Sequence, residues 1–118
     1  MCIFCKIVNG EIPSNKIEED ENFLAFHDIN PAAPIHVLVI PKRHIESFED
    51  TDAQTMAAIT PFIHKITNKL GLNSAGYRLV TNIGSDGGQE VKHLHFHILG
   101  GGKLIWNHFP SNDPHKSI

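Results

Sequence analysis

His93-Leu94-His95-Phe96-His97-Ile98-Leu99 alternates imidazole with hydrocarbon from His93 to Ile98. In a strand, successive side chains point to opposite faces. His93, His95 and His97 then share one face, about 6–7 Å apart, while Leu94, Phe96 and Ile98 share the other. The apolar face predicts packing on a core. The imidazole face has no ordinary structural reason. In a core every ring nitrogen needs a partner, and in solvent histidine gains nothing over threonine or lysine. Metal binding and catalysis both remain open on spacing alone.

Outward from this strand the chain reads as alternating short elements. Gly100-Gly101-Gly102 ends it, and Gly84-Ser85-Asp86-Gly87-Gly88 forms a flexible polar loop before it. Tyr77 to Thr81 alternates as a further strand. A helix is expected from Thr51, where Thr51-Asp52-Ala53-Gln54 fits a capping box. Met56, Ile59, Ile63, Ile66 and Leu70 give it one apolar stripe. Pro61 should kink or divide it, and Gly71 should end it. His36 to Ile40 is a β-branched apolar strand, central in the sheet and stopped by Pro41. Asn30-Pro31-Ala32-Ala33-Pro34 is a loop. Lys16 to Glu19 and Phe23 to Phe26 form a hairpin about Asp20-Glu21-Asn22. Ile3 to Val8 is a short helix ended by Asn9-Gly10. The fold class implied is α+β, an antiparallel sheet of about five strands with one main helix and a short N-terminal helix.

The 118 residues point to one domain, spanning residues 1–118 with a polar tail over 107–118. A net charge of −3 gives no basic excess for a nucleic-acid backbone. No apolar run is long enough to span a bilayer, and Met1 to Lys6 lacks the parts of a signal peptide, so a cytoplasmic protein is expected. The two cysteines, Cys2 and Cys5, form C-x-x-C. On spacing alone the pair is redox-active, metal-binding or incidental.

The histidine strand with Asp86-Gly87-Gly88-Gln89-Glu90-Val91-Lys92 before it and Gly100-Gly101 after it resembles the signature of the histidine-triad (HIT) superfamily. Three further blocks match in order: Phe4-Cys5-Lys6-Ile7 with Gly10-Glu11-Ile12-Pro13, Phe26-His27-Asp28-Ile29, and His36 to Ile45. The resemblance covers the chain to Trp106. The Leu99-Gly100-Gly101 ending and the short length favour the histidine-triad nucleotide-binding branch, the purine nucleoside phosphoramidases.

That resemblance implies His95 as nucleophile on an α-phosphate, His97 as phosphate contact and His36 as a fourth histidine beside them. It implies a nucleotide site of Phe4, Phe26, His27, Asp28, Ile29, Leu38, Asn82, Gly88, Gln89 and Glu90, with Asp28 on the ribose and the apolar residues around the purine. Glu90 stands where some relatives carry serine; its carboxylate repels phosphate, leaving its backbone N–H as the donor. By position, Cys2, Cys5, His44 and His93 form a structural zinc site. A purine nucleotide or nucleoside phosphoramidate is the expected ligand, and a homodimer with joined sheets the expected assembly, part of the helical stripe serving the partner. Dinucleoside polyphosphate hydrolysis and a nucleotide-binding regulatory role are the competing readings. Nucleic acid and membrane are not expected partners.

Overall fold

A strand whose apolar residues fill both of its faces must be covered on both sides. Phe23-Leu24-Ala25-Phe26 and Val37-Leu38-Val39-Ile40 are of that kind. In the computed structural model, which describes residues 2–107, all eight are buried. The elements run α1 (Ile3–Val8), β1 (Lys16–Glu19), β2 (Phe23–His27), β3 (Ile35–Pro41), a 3-10 turn (Phe48–Asp50), α2 (Ala53–Lys69), α3 (Leu72–Ala75), β4 (Arg78–Val80) and β5 (Phe96–Gly100). The strands form one antiparallel sheet in the order β1-β2-β3-β5-β4. The fold is α+β, and β3 is central, as its apolar run implies.

The two faces have different covers. Phe23, Ala25, Val37, Val39, Phe96 and Ile98 meet Ile59, Phe62, Ile63 and Ile66 of α2. Leu24, Phe26, Leu38 and Ile40 meet Phe4 and Ile7 of α1. Leu94, Phe96 and Ile98 therefore pack on the core as predicted. By strand alternation His36 and His97 lie on the α1 face, which makes the cover of that face small and leaves room for a cavity.

Several expectations are corrected. The histidine strand begins at Phe96, not His93. Phe96 pairs with Val39, and two residues further along β3 stands Pro41, which has no N–H to extend the ladder. Upstream of β5 the chain turns away: the His93 N–H bonds the Val91 carbonyl at 2.9 Å and the Leu94 N–H bonds the Ile45 carbonyl at 2.6 Å. Asp52, not Thr51, caps α2; its carboxylate accepts the Thr55 N–H at 2.7 Å. A carboxylate also complements the positive helix terminus better than a hydroxyl does. Helix α2 is undivided at Pro61. Ala57, whose carbonyl loses its partner there, is exposed along with Pro61, so water can replace the missing bond. Gly71 does end the helix, at φ 73°, but α3 follows directly and was not anticipated.

Most of the stripe on α2 is taken up within the chain. Ile59, Ile63 and Ile66 are buried against the sheet, and Met56 and Leu70 pack beside them, partly buried. Among the described residues no helix is long and apolar enough to cross a membrane. The predicted polar tail, past Asn107, lies outside the described residues.

Because Ile66 is fully buried in this core, Ile66→Ala should cost about 2–5 kcal/mol. Met56→Ala should cost less. Urea unfolding at two protein concentrations checks this, and the loss at Ile66 should not depend on concentration.

Candidate active site

The site is built where β3 and β5 run side by side. Their register sets Leu38 opposite His97 and His36 opposite Leu99, so His36 and His97 are diagonal neighbours on the α1 face. Their rings meet: His36 Nε2 lies 2.9 Å from His97 Nδ1. The loop with two prolines turns the Ala32 N–H back onto His36 Nδ1 at 2.9 Å. That bond fixes the protons in sequence. Nδ1 of His36 must accept, so its Nε2 carries the proton and donates to His97 Nδ1, and the His97 proton is on Nε2. Asp28 Oδ2 stands 3.4 Å from His36 Nε2, and Asp28 Oδ1 accepts the Asn30 N–H at 2.8 Å. Asp28, His36 and His97 are close enough to suggest a metal site. The proton on His36 Nε2 fills the position a metal would need, so the three are accounted for as a hydrogen-bonded relay.

His95 is held differently. Its Nδ1 donates to the His93 carbonyl at 2.7 Å. Its own carbonyl accepts the Thr81 hydroxyl at 2.8 Å. The unprotonated nitrogen is therefore Nε2. Phe4 of α1 stands edge-on to the ring, with centroids 5.1 Å apart and planes at 83°. The His95 ring centroid lies 5.0 Å from that of His97.

Burial sets the charge state of these rings. It pushes His95 below the usual imidazole range, against an opposing pull from the His93 carbonyl and from Asp28 and Glu90. It pushes His97 down to about 3, helped by His95 and His36. His36 is lowered by burial despite Asp28. At neutral pH the three are uncharged, and each ring has one donor and one acceptor nitrogen.

A cavity of about 320 Å³ opens beside them. Phe4, Phe26, Leu38, His27, Asp28 and Ile29 line it together with His36, His95 and His97. Asn82, Gly88 and Glu90 line it from the loop before β5. Ile29 is 91% exposed at the rim, the most exposed large apolar side chain described. Gln89 alone of the residues predicted for the nucleotide and catalytic site does not line the cavity. Its Nε2 donates to the carbonyls of Glu46 and Val91 at 2.7 and 3.0 Å, and its Oε1 accepts the Gly84 N–H at 2.9 Å, so it braces the loop. Gly87 has to be glycine there, because a Cβ would come within 2.2 Å of the Ile83 carbonyl oxygen.

Sequence reading missed Thr81, the Ala32 N–H and the wall formed by Ile12, Pro13, Ser14 and Asn15. The hydroxyl of Ser14 is buried without a partner among the described residues. The rigid Asn30 to Pro34 loop was a usable signal for the Ala32 contact, since it ends two residues before His36.

A second cluster lies beyond His93. Cys2 and Cys5 Sγ are 3.2 Å apart. His44 Nδ1 is 3.6 and 3.3 Å from them, and His93 Nδ1 is 3.3 and 3.6 Å from them. The His93 Nε2 donates to the Pro41 carbonyl at 2.8 Å. Its Nδ1 lone pair is thereby aimed at the sulfurs, the orientation that metal-ligating histidines take. Two sulfurs and two imidazole nitrogens at these separations fit the edges of a tetrahedral ion site. These four residues could hold a metal ion.

Comparison with known proteins gives a consistent result. A family model described as HIT domain matches residues 9–104. An uncharacterized HIT-like protein of Helicobacter pylori (strain ATCC 700392 / 26695) is 53% identical over 103 residues, 87% of this chain and 99% of the relative. The crystal structure of a HIT family hydrolase from Legionella pneumophila Philadelphia 1 is 48% identical, with a TM-score of 0.86 over 90% of this chain and 97% of its own. A histidine triad nucleotide-binding protein from Candida albicans is 37% identical, with a TM-score of 0.78 over 89% and 84% of the two chains.

The proton positions can be read directly. Long-range 1H–15N correlation spectra at neutral pH should show His95 as the Nδ1–H tautomer and His36, His93 and His97 as Nε2–H. An Nε2 proton on His95 would remove the lone pair that the site presents.

Proposed function

The chain belongs to the HIT domain family. From that membership we propose that it is a nucleotide hydrolase or transferase that cleaves purine nucleoside phosphoramidates or related adenylate conjugates at the α-phosphate, through a nucleotidyl-histidine intermediate. The observation that carries this reading is the His95 ring. It is buried, uncharged and tied through Nδ1 to the His93 carbonyl, which keeps Nε2 nucleophilic beside a cavity. That cavity is of the size small molecules occupy, roughly 300–1,000 Å³. The names of the Legionella hydrolase and the Candida nucleotide-binding protein support the same class.

In this reading the purine sits among Phe4, Phe26, Ile29 and Leu38, and Asp28 accepts hydrogen bonds from the ribose. The His95 Nε2 lone pair forms a bond to the α-phosphorus. The bond from phosphorus to the amine nitrogen breaks, its electron pair stays on nitrogen, and the nitrogen takes a proton from water. The His97 Nε2–H donates to a phosphoryl oxygen as charge develops there, and its place in the relay from Ala32 through His36 keeps that proton in position. A water oxygen then bonds to phosphorus and the pair returns to Nε2. The water releases one proton to solvent, giving a nucleoside monophosphate and the original histidine. No step requires either ring to carry a net charge beforehand, in keeping with the low basicity of His97.

For the second cluster we propose zinc as the ion, held by Cys2, Cys5, His44 and His93. Zinc would supply structural closure, since a site with four protein ligands has no open position for substrate. What the chain itself supplies is orientation: His93 is held at both nitrogens, and its carbonyl is the acceptor that fixes His95.

Two measurements test these assignments. His95→Ala should lower kcat by more than about 100-fold while nucleotide binding persists. A loss below about tenfold, ~1.4 kcal/mol of barrier, removes the nucleophile assignment. Protein purified without a His-tag should carry about one zinc per chain by elemental analysis. The Cys2→Ser/Cys5→Ser variant should carry none. Chelation should lower Tm more than it lowers kcat, and absence of zinc from the parent removes the site.

A further inference from the structure

The charges lining the cavity are one-sided. Among the described residues that line it, no lysine or arginine is present, and the acidic groups are Asp28 and Glu90. A pocket that receives a phosphate would ordinarily be expected to offer a cation. Here the phosphate meets only neutral donors, while two carboxylates stand nearby.

The two acids are not equivalent. Asp28 is tied down, accepting the Asn30 N–H at 2.8 Å and lying 3.4 Å from His36 Nε2. Glu90 is exposed, and among the described residues its side chain has no hydrogen bond or ion pair. It comes from a different wall. Phe4, Phe26, Asp28, Ile29 and Leu38 belong to α1, β2, β3 and the turn after β2, whereas Glu90 belongs to the glycine-rich loop with Asn82 and Gly88. A nucleoside occupying the first wall leaves the loop wall for whatever is attached to its phosphate.

Resting on the phosphoramidase reading above, we propose that Glu90 selects the leaving group by charge, favouring amines that carry or acquire positive charge and rejecting anionic polyphosphates. The α-phosphate meets the same carboxylate in every substrate, so that repulsion cancels in any comparison between substrates. The leaving groups differ. An ammonium-bearing amine gains an attractive partner at the mouth, and a polyphosphate of several negative charges meets a repulsive one. The selection acts between an exposed side chain and the solvent-facing end of the substrate, so salt weakens it. One residue thereby separates the amidate substrates from the dinucleoside polyphosphates on electrostatic grounds.

The test uses the full chain and three adenosine 5′-phosphate conjugates. One bears a diamine with a free terminal ammonium, one a neutral alkylamine of similar length, and the third is diadenosine tetraphosphate. For the parent and for Glu90→Gln, kcat/KM of each charged compound is divided by that of the neutral one, so a loss common to all three cancels. The expected result is that Glu90→Gln lowers the ratio for the cationic compound and raises the ratio for the tetraphosphate, each by about five- to tenfold. Glu90→Lys should move both further in the same directions. The parent's preference should shrink between low and high salt. Ratios that stay within about twofold in both variants overturn the proposal, whether or not the parent is active on amidates. The same ratios measured as binding affinities by calorimetry read Glu90 separately from chemistry. If the parent turns over none of the three compounds, the phosphoramidase reading fails. The binding ratios then still decide Glu90: a shift of the stated size supports charge selection at the loop wall, and no shift rejects it.

Discussion

The antiparallel pairing of β3 with β5 is the constraint on which the molecule rests. It places Val37, Val39, Phe96 and Ile98 on one face under α2, where burial of apolar area stabilises the domain. The same pairing fixes His36 and His97 on the other face, two residues apart in register. Neither arrangement can shift without the other, because a slip of one residue would carry every side chain through the sheet. The core and the histidine relay are consequences of one register. The short cover offered by α1 then decides that the second face ends in a cavity rather than in a second full core.

Much of this could be read from the chain. The hairpin from Lys16 to Phe26, the buried strand through Leu38 and the helix after Thr51-Asp52 all follow from periodicity, because each buries a face whose pattern is regular. The alternation of His93 to Leu99 located the site and its apolar reverse side. Its strand character was overread, since the pattern alone gives no sign that Pro41 on the partner strand ends the ladder early. The cap at Asp52 was misplaced by one residue because Thr51 and Asp52 are both good caps, and only the geometry shows which side chain reaches the Thr55 N–H. The family resemblance puts Gln89 in the nucleotide site, but its amide finds three backbone partners in its own loop and at Glu46. The role of Thr81 was not legible at all. A lone hydroxyl just past the end of a short edge strand carries no pattern, and its link to the His95 carbonyl exists only in three dimensions.

The two clusters share a backbone. His93 donates through Nε2 to Pro41, offers Nδ1 to the cysteines and gives its carbonyl to His95. All the polar groups of one residue are thus committed, which is what a buried imidazole requires if it is not to be destabilising. The cysteine-histidine cluster and the His95 ring are in this sense one continuous network, built from both ends of the described chain.

Helix α1 has only six residues, and a helix of that length does not persist alone in water. Its first turn is closed by the Cys2 sulfur, which accepts the Cys5 N–H at 3.2 Å, and its Phe4 forms part of the cavity wall. Whatever secures that first turn thereby decides how much disorder must be removed from the wall before a guest can enter. The entropy of the six residues of α1 is a component of affinity at a site whose reactive His95 comes from a distant part of the chain. Linkage makes the relation mutual: a guest that holds Phe4 in place tightens the clasp at Cys2 by the same free energy.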